Sequence, residues 1–166
     1  TGIARVFATS DMYICGHFQG TITFGSTVLN SAGASDAFVA RIDQNGNWIW
    51  AKRGGGTGYD YGNGITADNT GCYITGRYTG SATFGSFNLT SSGLEDVFLV
   101  HYDPNGNELW AVSGGSATAN DEGRAVSNNG SGSVFTTGIF GGTATFAPNS
   151  VNAIGGQDAF LVKYCN

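Results

Sequence analysis

The residues in this sequence with the greatest chemical potential are its aspartates, its two histidines and its aromatic groups, and most of them recur at fixed spacing. Asp36, Asp96 and Asp158 open the blocks Asp-Ala-Phe-Val-Ala, Asp-Val-Phe-Leu-Val and Asp-Ala-Phe-Leu-Val, and Asp60 and Asp121 each precede a glycine. Carboxylates so placed can ligate a hard cation or accept bonds from sugar hydroxyls. A residue demanded by every copy of a block is more simply read as a turn acceptor for backbone N–H groups, which aspartate does well. Asp43-Gln44-Asn45-Gly46-Asn47 has a superficial likeness to a calcium loop but lacks the bidentate glutamate. The reading therefore expects no cofactor. Calcium is the one ion these acids invite, and the metal ligands stay open.

His17 and His101 are the only histidines; the counterparts of the first are Arg77 and Ile139, and of the second Arg41 and Lys163. A general base needs a carboxylate or nucleophile within reach, and no unrepeated polar cluster supplies one. The sequence offers no catalytic residue, and the expectation is that the chain is not an enzyme. Gly54-Gly55-Gly56 lacks the Lys-Ser or Lys-Thr of a phosphate loop, and is read as a connection between units. Trp50 and Trp110 recur, which argues for core packing. Trp48, Tyr59 and Tyr61 do not, so these three are the candidate ligand-binding aromatics. Asn88-Leu89-Thr90 and Asn129-Gly130-Ser131 fit the N-glycosylation pattern and make Asn88 and Asn129 candidate acceptors. Of the three cysteines, Cys15 and Cys72 are read as buried thiols. Cys165 is the candidate for an intermolecular disulfide.

The elements that must position these groups come from an internal repeat. Met12-Tyr13-Ile14-Cys15-Gly16 returns as Cys72-Tyr73-Ile74-Thr75-Gly76 and as Val134-Phe135-Thr136-Thr137-Gly138, sixty and then sixty-two residues on. Gly20-Thr21-Ile22-Thr23-Phe24 returns at Gly80 and Gly142, in the same register as the aspartate blocks. A fixed period of this length signals stacked units. Asn45-Gly46 and Asn105-Gly106 lie between apolar runs and predict two-residue hairpin turns, with positive φ at both positions. Using the second copy as the model, strands are expected over 65–68, 72–78, 96–102 and 108–113, with a short extra strand over 82–84. Phe98, Val100 and Tyr102 alternate with Val97, Leu99 and His101, so that strand is apolar on both faces and must lie between two layers.

Composition agrees. Glycine is 28 of 166 residues, proline 2, and charged residues only 11%, with a net charge of −5. This favours short strands and tight turns. The seven scattered Lys and Arg argue against a nucleic-acid surface, and no apolar run is long enough for a membrane helix. The start at Thr1, without a signal-peptide form, reads as a mature product or an excised fragment.

The Tyr-Ile-Thr-Gly block at Tyr73, the Asp-Val-Phe-Leu-Val block at Asp96, the Asp-Pro-Asn-Gly-Asn turn at Asp103, Trp110, Gly114-Gly115 and Asp121-Glu122-Gly123 together resemble the bacterial β-propeller repeat family called SBBP. The first copy carries the matching Asp36, Asp43, Trp50, Gly54-Gly55 and Asp60-Tyr61-Gly62. The likeness covers nearly the whole chain. It implies an all-β, propeller-like fold in a bacterial cell-surface or secreted setting, and carries no catalytic residue to transfer. The expected fold is thus one β-repeat domain over 1–166, of propeller-like units of about 60 residues with four main antiparallel strands each. The units run over about 1–60, 61–122 and 123–166, the last incomplete, and are too few to close a ring alone. The expected role is a non-enzymatic extracellular or cell-surface scaffold or adhesin, part of a larger propeller or of a head-to-tail ring or filament. Its partners would be further copies of itself or the rest of a longer chain. A carbohydrate- or protein-binding propeller module, with glycans as partners, is the alternative, and a hydrolase on the same scaffold is third.

Overall fold

Glycine-punctuated runs rich in Thr, Val, Phe and Tyr can satisfy their backbone groups only by pairing with one another, and they do so throughout. The computed structural model describes residues 1–6 and 8–165, and among these every regular element is a β-strand. In chain order they are β1 (Gly2–Arg5), β2 (Met12–Phe18), β3 (Thr21–Phe24), β4 (Thr27–Asn30), β5 (Asp36–Ile42) and β6 (Trp48–Gly56). There follow β7 (Tyr61–Asp68), β8 (Gly71–Phe84), β9 (Phe87–Tyr102) and β10 (Glu108–Ser116), then β11 (Glu122–Asn128), β12 (Ser133–Phe146) and β13 (Asn149–Cys165).

All strand pairings are antiparallel. Nine strands lie on one curled path in the order β1-β2-β5-β6-β8-β9-β10-β12-β11, with β7 and β13 paired to β8 and β12, and β3-β4 forms a separate ribbon. Within this sheet the chain makes three meanders, β1-β2-β5-β6, β7-β8-β9-β10 and β11-β12-β13. The end of β6 bonds to the far end of β8 through Gly54↔Phe84, and the end of β10 to that of β12 through Gly115↔Thr145. The short strand expected at 82–84 is not separate: β8 runs through Gly80, with a bulge between Thr79 and Ser81. Only in the first meander does the ribbon detach, as β3.

Successive meanders bury one another's faces. Tyr13, Cys15, Val39 and Trp50 of the first pack on Ile74, Phe84, Phe98, Val100 and Tyr102 of the second. On the other side Tyr73 and Leu99 meet Val134 and Tyr164, while Val97 meets Phe140, Phe146 and Phe160. The two-faced strand expected around Phe98 is therefore observed: Val97, Phe98, Leu99 and Val100 are all buried. Each such side chain removed from water contributes on the order of 1.5–3 kcal/mol. Close approach is built in at Gly54 and Gly114, where any Cβ would collide with the rings of Phe84 and Phe146.

The hairpin turns differ from the expected two-residue form. Each joins its strands through five residues, and only the glycine takes positive φ, 87° at Gly46 and 83° at Gly106. The reason lies in the leading aspartate. Asp43 Oδ1 accepts the N–H groups of Asn45 and Asn47, both at 2.8 Å, and Asp103 does the same for Asn105 and Asn107. These bonds fix a longer loop and hold both carboxyls below the ordinary range; for Asp103 desolvation is the largest single influence and opposes the shift, but the hydrogen bonds from Asn107, Asn105 and Gly106 together outweigh it.

Trp110 also departs from expectation. Trp50 is buried because the 103–107 turn of the second meander closes over it, with its indole N–H donating to the Pro104 carbonyl at 3.0 Å and Gly106 against its ring. The equivalent turn over Trp110 would follow Tyr164. Trp110 is consequently only half-buried, beside a recess lined by Val112, Tyr164 and Cys165.

Candidate functional site

The repeated aspartates come together in pairs, each made by one meander and the entry to the next. Asp36, at the start of β5, accepts the Ala32 N–H at 3.0 Å, and Asp96 and Asp158 accept those of Ser92 and Ile154 in the same way. The expected turn role holds for all three. Asp60 closes the other side, taking the Gly56 N–H at 2.7 Å, and Asp121 takes those of Ser116 at 2.5 Å and Gly141 at 2.9 Å. A Cβ on Gly55 would lie 2.6 Å from Asp60 Oδ2 and 3.0 Å from Asp36 Cγ; one on Gly115 would lie 2.7 Å from Asp96 Oδ1 and 2.9 Å from Asp121 Oδ2. Only glycine leaves room for two carboxyls there.

All four acids are buried, and Asp36 Oδ1 and Asp96 Oδ1 have no hydrogen-bond partner. Burial, reinforced by the neighbouring Asp36 charge, pushes Asp60 up to about 6 against its backbone hydrogen bonds, and burial also raises Asp96. In the first pair Arg53 supplies a counter-charge to Asp36 at 2.5 Å. Its counterpart in the second is Ser113. No group of three or more His, Cys, Asp or Glu suited to a metal occurs among the described residues.

The candidate aromatics divide into two places. Tyr59 and Tyr61 stack with centroids 6.3 Å apart and planes 4° apart, and Tyr59 is about half exposed. The His17 ring meets Tyr61 edge-on at 4.3 Å, the Arg77 guanidinium lies 4.7 Å over it, and Arg77 pairs with Glu95 at 2.8 Å. Burial, the terminal ammonium and Arg77 together hold His17 below its ordinary value. An aromatic face beside an Arg-Glu pair can stack on a sugar ring and bond its hydroxyls. Trp48 is not part of this group. It packs against Phe24 at 4.9 Å, in the cluster of Phe18 and Phe38 on the first meander's outer face.

The second histidine is buried and stacked on Tyr73 at 4.1 Å, and burial lowers its affinity for a proton. Its Nε2 is 3.5 Å from Thr70 Oγ1, but that hydroxyl donates to Asp68 at 2.6 Å, so the proton a nucleophile must give up points away from the imidazole. Asn88 is exposed, its Oδ1 accepting from Thr83; Asn129 is exposed with its Oδ1 capping the N–H groups of Ser131 and Ser133. Cys15 and Cys72 are buried free thiols, with burial raising both, and Cys165 is an exposed free thiol. The Arg53-Asp36 and Arg77-Glu95 pairs escaped the sequence reading. Their signal was a break in the period, Arg53 against Ser113 and Arg77 against His17 and Ile139.

Compared with known proteins, the chain matches no family model and no curated protein.

Proposed function

We propose that the chain is a non-enzymatic β-propeller-type scaffold, working outside the cell or at its surface, in which the first two meanders are complete four-stranded blades and the third is partial. The observation that carries this reading is one position seen three times. Val39 and Leu99, in the third strand of the first two meanders, are each 1% exposed under the next meander, whereas their counterpart Leu161 is 72% exposed. Phe135 and Ile139, which flank its cross-strand partner Thr137 on the same face, are only half-buried. A blade face of this composition is built to be covered. The likeness to SBBP-type repeats supports the same reading.

The cover is a further blade, from a longer chain or from a second copy presenting the outer side of its first meander. Such a contact joins unlike surfaces and is head to tail, giving a ring where the rotation closes and a filament where it does not. Sedimentation velocity of the 166-residue chain at micromolar concentration tests the second-copy form. Association that Leu161→Asp abolishes is expected, and a monomer at every concentration would overturn it.

A second reading, a glycan- or protein-binding module, is favoured by the Tyr59-Tyr61 stack. Saturable binding on a glycan array, lost in Tyr59→Ala and unaffected by Trp48→Ala, would promote it.

A further inference from the structure

In the first two meanders the fourth strand lies against the third in one register. Trp50 opposes Arg41, Ala51 opposes Ala40, Arg53 opposes Phe38 and Gly54 opposes Ala37. Trp110, Ala111, Ser113 and Gly114 stand in the same way against His101, Val100, Phe98 and Val97. In the third meander β13 bonds to β12 alone, and among the described residues nothing occupies its other edge.

What surrounds that edge matches what surrounds the other two. The tryptophan of the fourth strand rests on an aromatic ring of the second strand, Trp50 on Tyr13 at 5.7 Å and Trp110 on Tyr73 at 6.0 Å. A cationic or imidazole side chain lies over the same ring, Arg41 at 5.6 Å from the Tyr13 centroid and His101 at 4.1 Å from that of Tyr73. In the third meander the corresponding ring is Phe135, half-buried, with Lys163 at 5.8 Å over it. The platform is present without its tryptophan. Further along the edge a cavity of about 420 Å³ opens beside Phe160, Val162 and Phe146. In the first two meanders the small Ala51 and Ala111 pack at this level, on the clusters of Phe38 and Phe98. At the end stands Asp158, the counterpart of Asp36, which receives Arg53 in the first meander.

We propose that the free edge of β13 is a docking site for an extended peptide segment from outside residues 1–166, added as an antiparallel strand and reading Trp-Ala-x-Arg-Gly-Gly. Its tryptophan lies opposite Lys163 on Phe135, its alanine opposite Val162, its arginine opposite Phe160 and paired with Asp158, and its first glycine opposite Ala159. Main-chain bonds to a sheet edge give affinity, and side chains in register give selectivity. This inference rests on the blade reading of the three meanders.

The probes are two synthetic peptides copied from this chain, residues 48–56 (Trp-Ile-Trp-Ala-Lys-Arg-Gly-Gly-Gly) and 108–116 (Glu-Leu-Trp-Ala-Val-Ser-Gly-Gly-Ser), with a scrambled version of the first. They are titrated into ¹⁵N-labelled protein and followed by NMR. Saturable binding is expected, with the largest shifts at residues 158–164 and at Phe135. The arginine peptide should bind about tenfold more tightly than the serine peptide, the scale of one charge-assisted bond. Asp158→Asn should remove that difference while the shifts remain. Equal binding of the scrambled peptide, shifts centred elsewhere, or no saturation would overturn the proposal. Head-to-tail association without peptide binding would leave the blade reading standing and remove this inference alone.

Discussion

Replacing Asp60 by asparagine tests the electrostatics of the meander junction through a difference that only this carboxyl can produce. Asp60 titrates near 6 in the folded chain, and the unfolded side chain titrates near its ordinary value of 3.8. Below both values the acid is protonated in both states and costs nothing. As pH rises between them the unfolded chain loses its proton first, so stability falls; above about 6 the loss is complete. At 1.36 kcal/mol per pKa unit, the total is about 3 kcal/mol. Asparagine keeps the acceptor for the Gly56 N–H at 2.7 Å and gives up the longer bond from the Thr79 N–H at 3.4 Å, a cost that does not titrate. The assay is urea denaturation of parent and Asp60→Asn at pH 4 and pH 7.5. Part of this is already lost at pH 4, where the unfolded carboxyl is half ionised, so relative to the parent the variant should be about 2.4 kcal/mol more stable at pH 7.5 than at pH 4. The histidines, whose lowered values act in the opposite direction as pH falls below about 6.5, cancel in this comparison. A stability difference that stays constant with pH would refute the reasoning.

The remaining predictions concern the faces of the meanders. Phe98→Ala, at a fully buried ring between two meanders, should lose about 3–5 kcal/mol in urea denaturation; an unchanged midpoint would contradict the packing. Leu99→Ala should cost about 2–5 kcal/mol and Leu161→Ala, at the same position of the third meander, under about 0.5 kcal/mol in dilute monomer. Gly114→Ala forces a methyl into the ring of Phe146 and should lower the melting temperature, with Phe146→Leu in the same chain recovering part of the loss.

Much of this architecture was legible in the sequence because the repeat wrote each strand two or three times. The Asp-x-Phe blocks marked the third strand of every meander, and apolar residues at both parities around Phe98 marked a strand buried on both sides. What stayed hidden depends on contacts far apart in sequence. Asp36 and Asp60 each read as a local turn residue, and nothing in either block says that their carboxyls converge over Gly55. The burial of Trp50 depends on the turn at Pro104, three strands into the next meander, so the equivalent position at Trp110 gives a half-buried ring. The five-residue hairpin loops were missed for a local reason: the aspartate before Asn-Gly offers its own acceptor to the backbone, and that outweighs the preference of the Asn-Gly pair for a two-residue turn. The sequence groups Trp48 with Tyr59 and Tyr61 because none of the three recurs, and a break in the period does not place residues on one surface: Trp48 packs with Phe24 instead.

The central claim is that each meander is a blade and that the face bearing Leu161 is covered in the working particle. Electron cryomicroscopy of the assembled native protein tests it most directly. The account predicts blades arranged radially about one axis, with a further blade seated on Leu161. Particles in which that face lies open to solvent, or in which the contacts are made elsewhere, would contradict it.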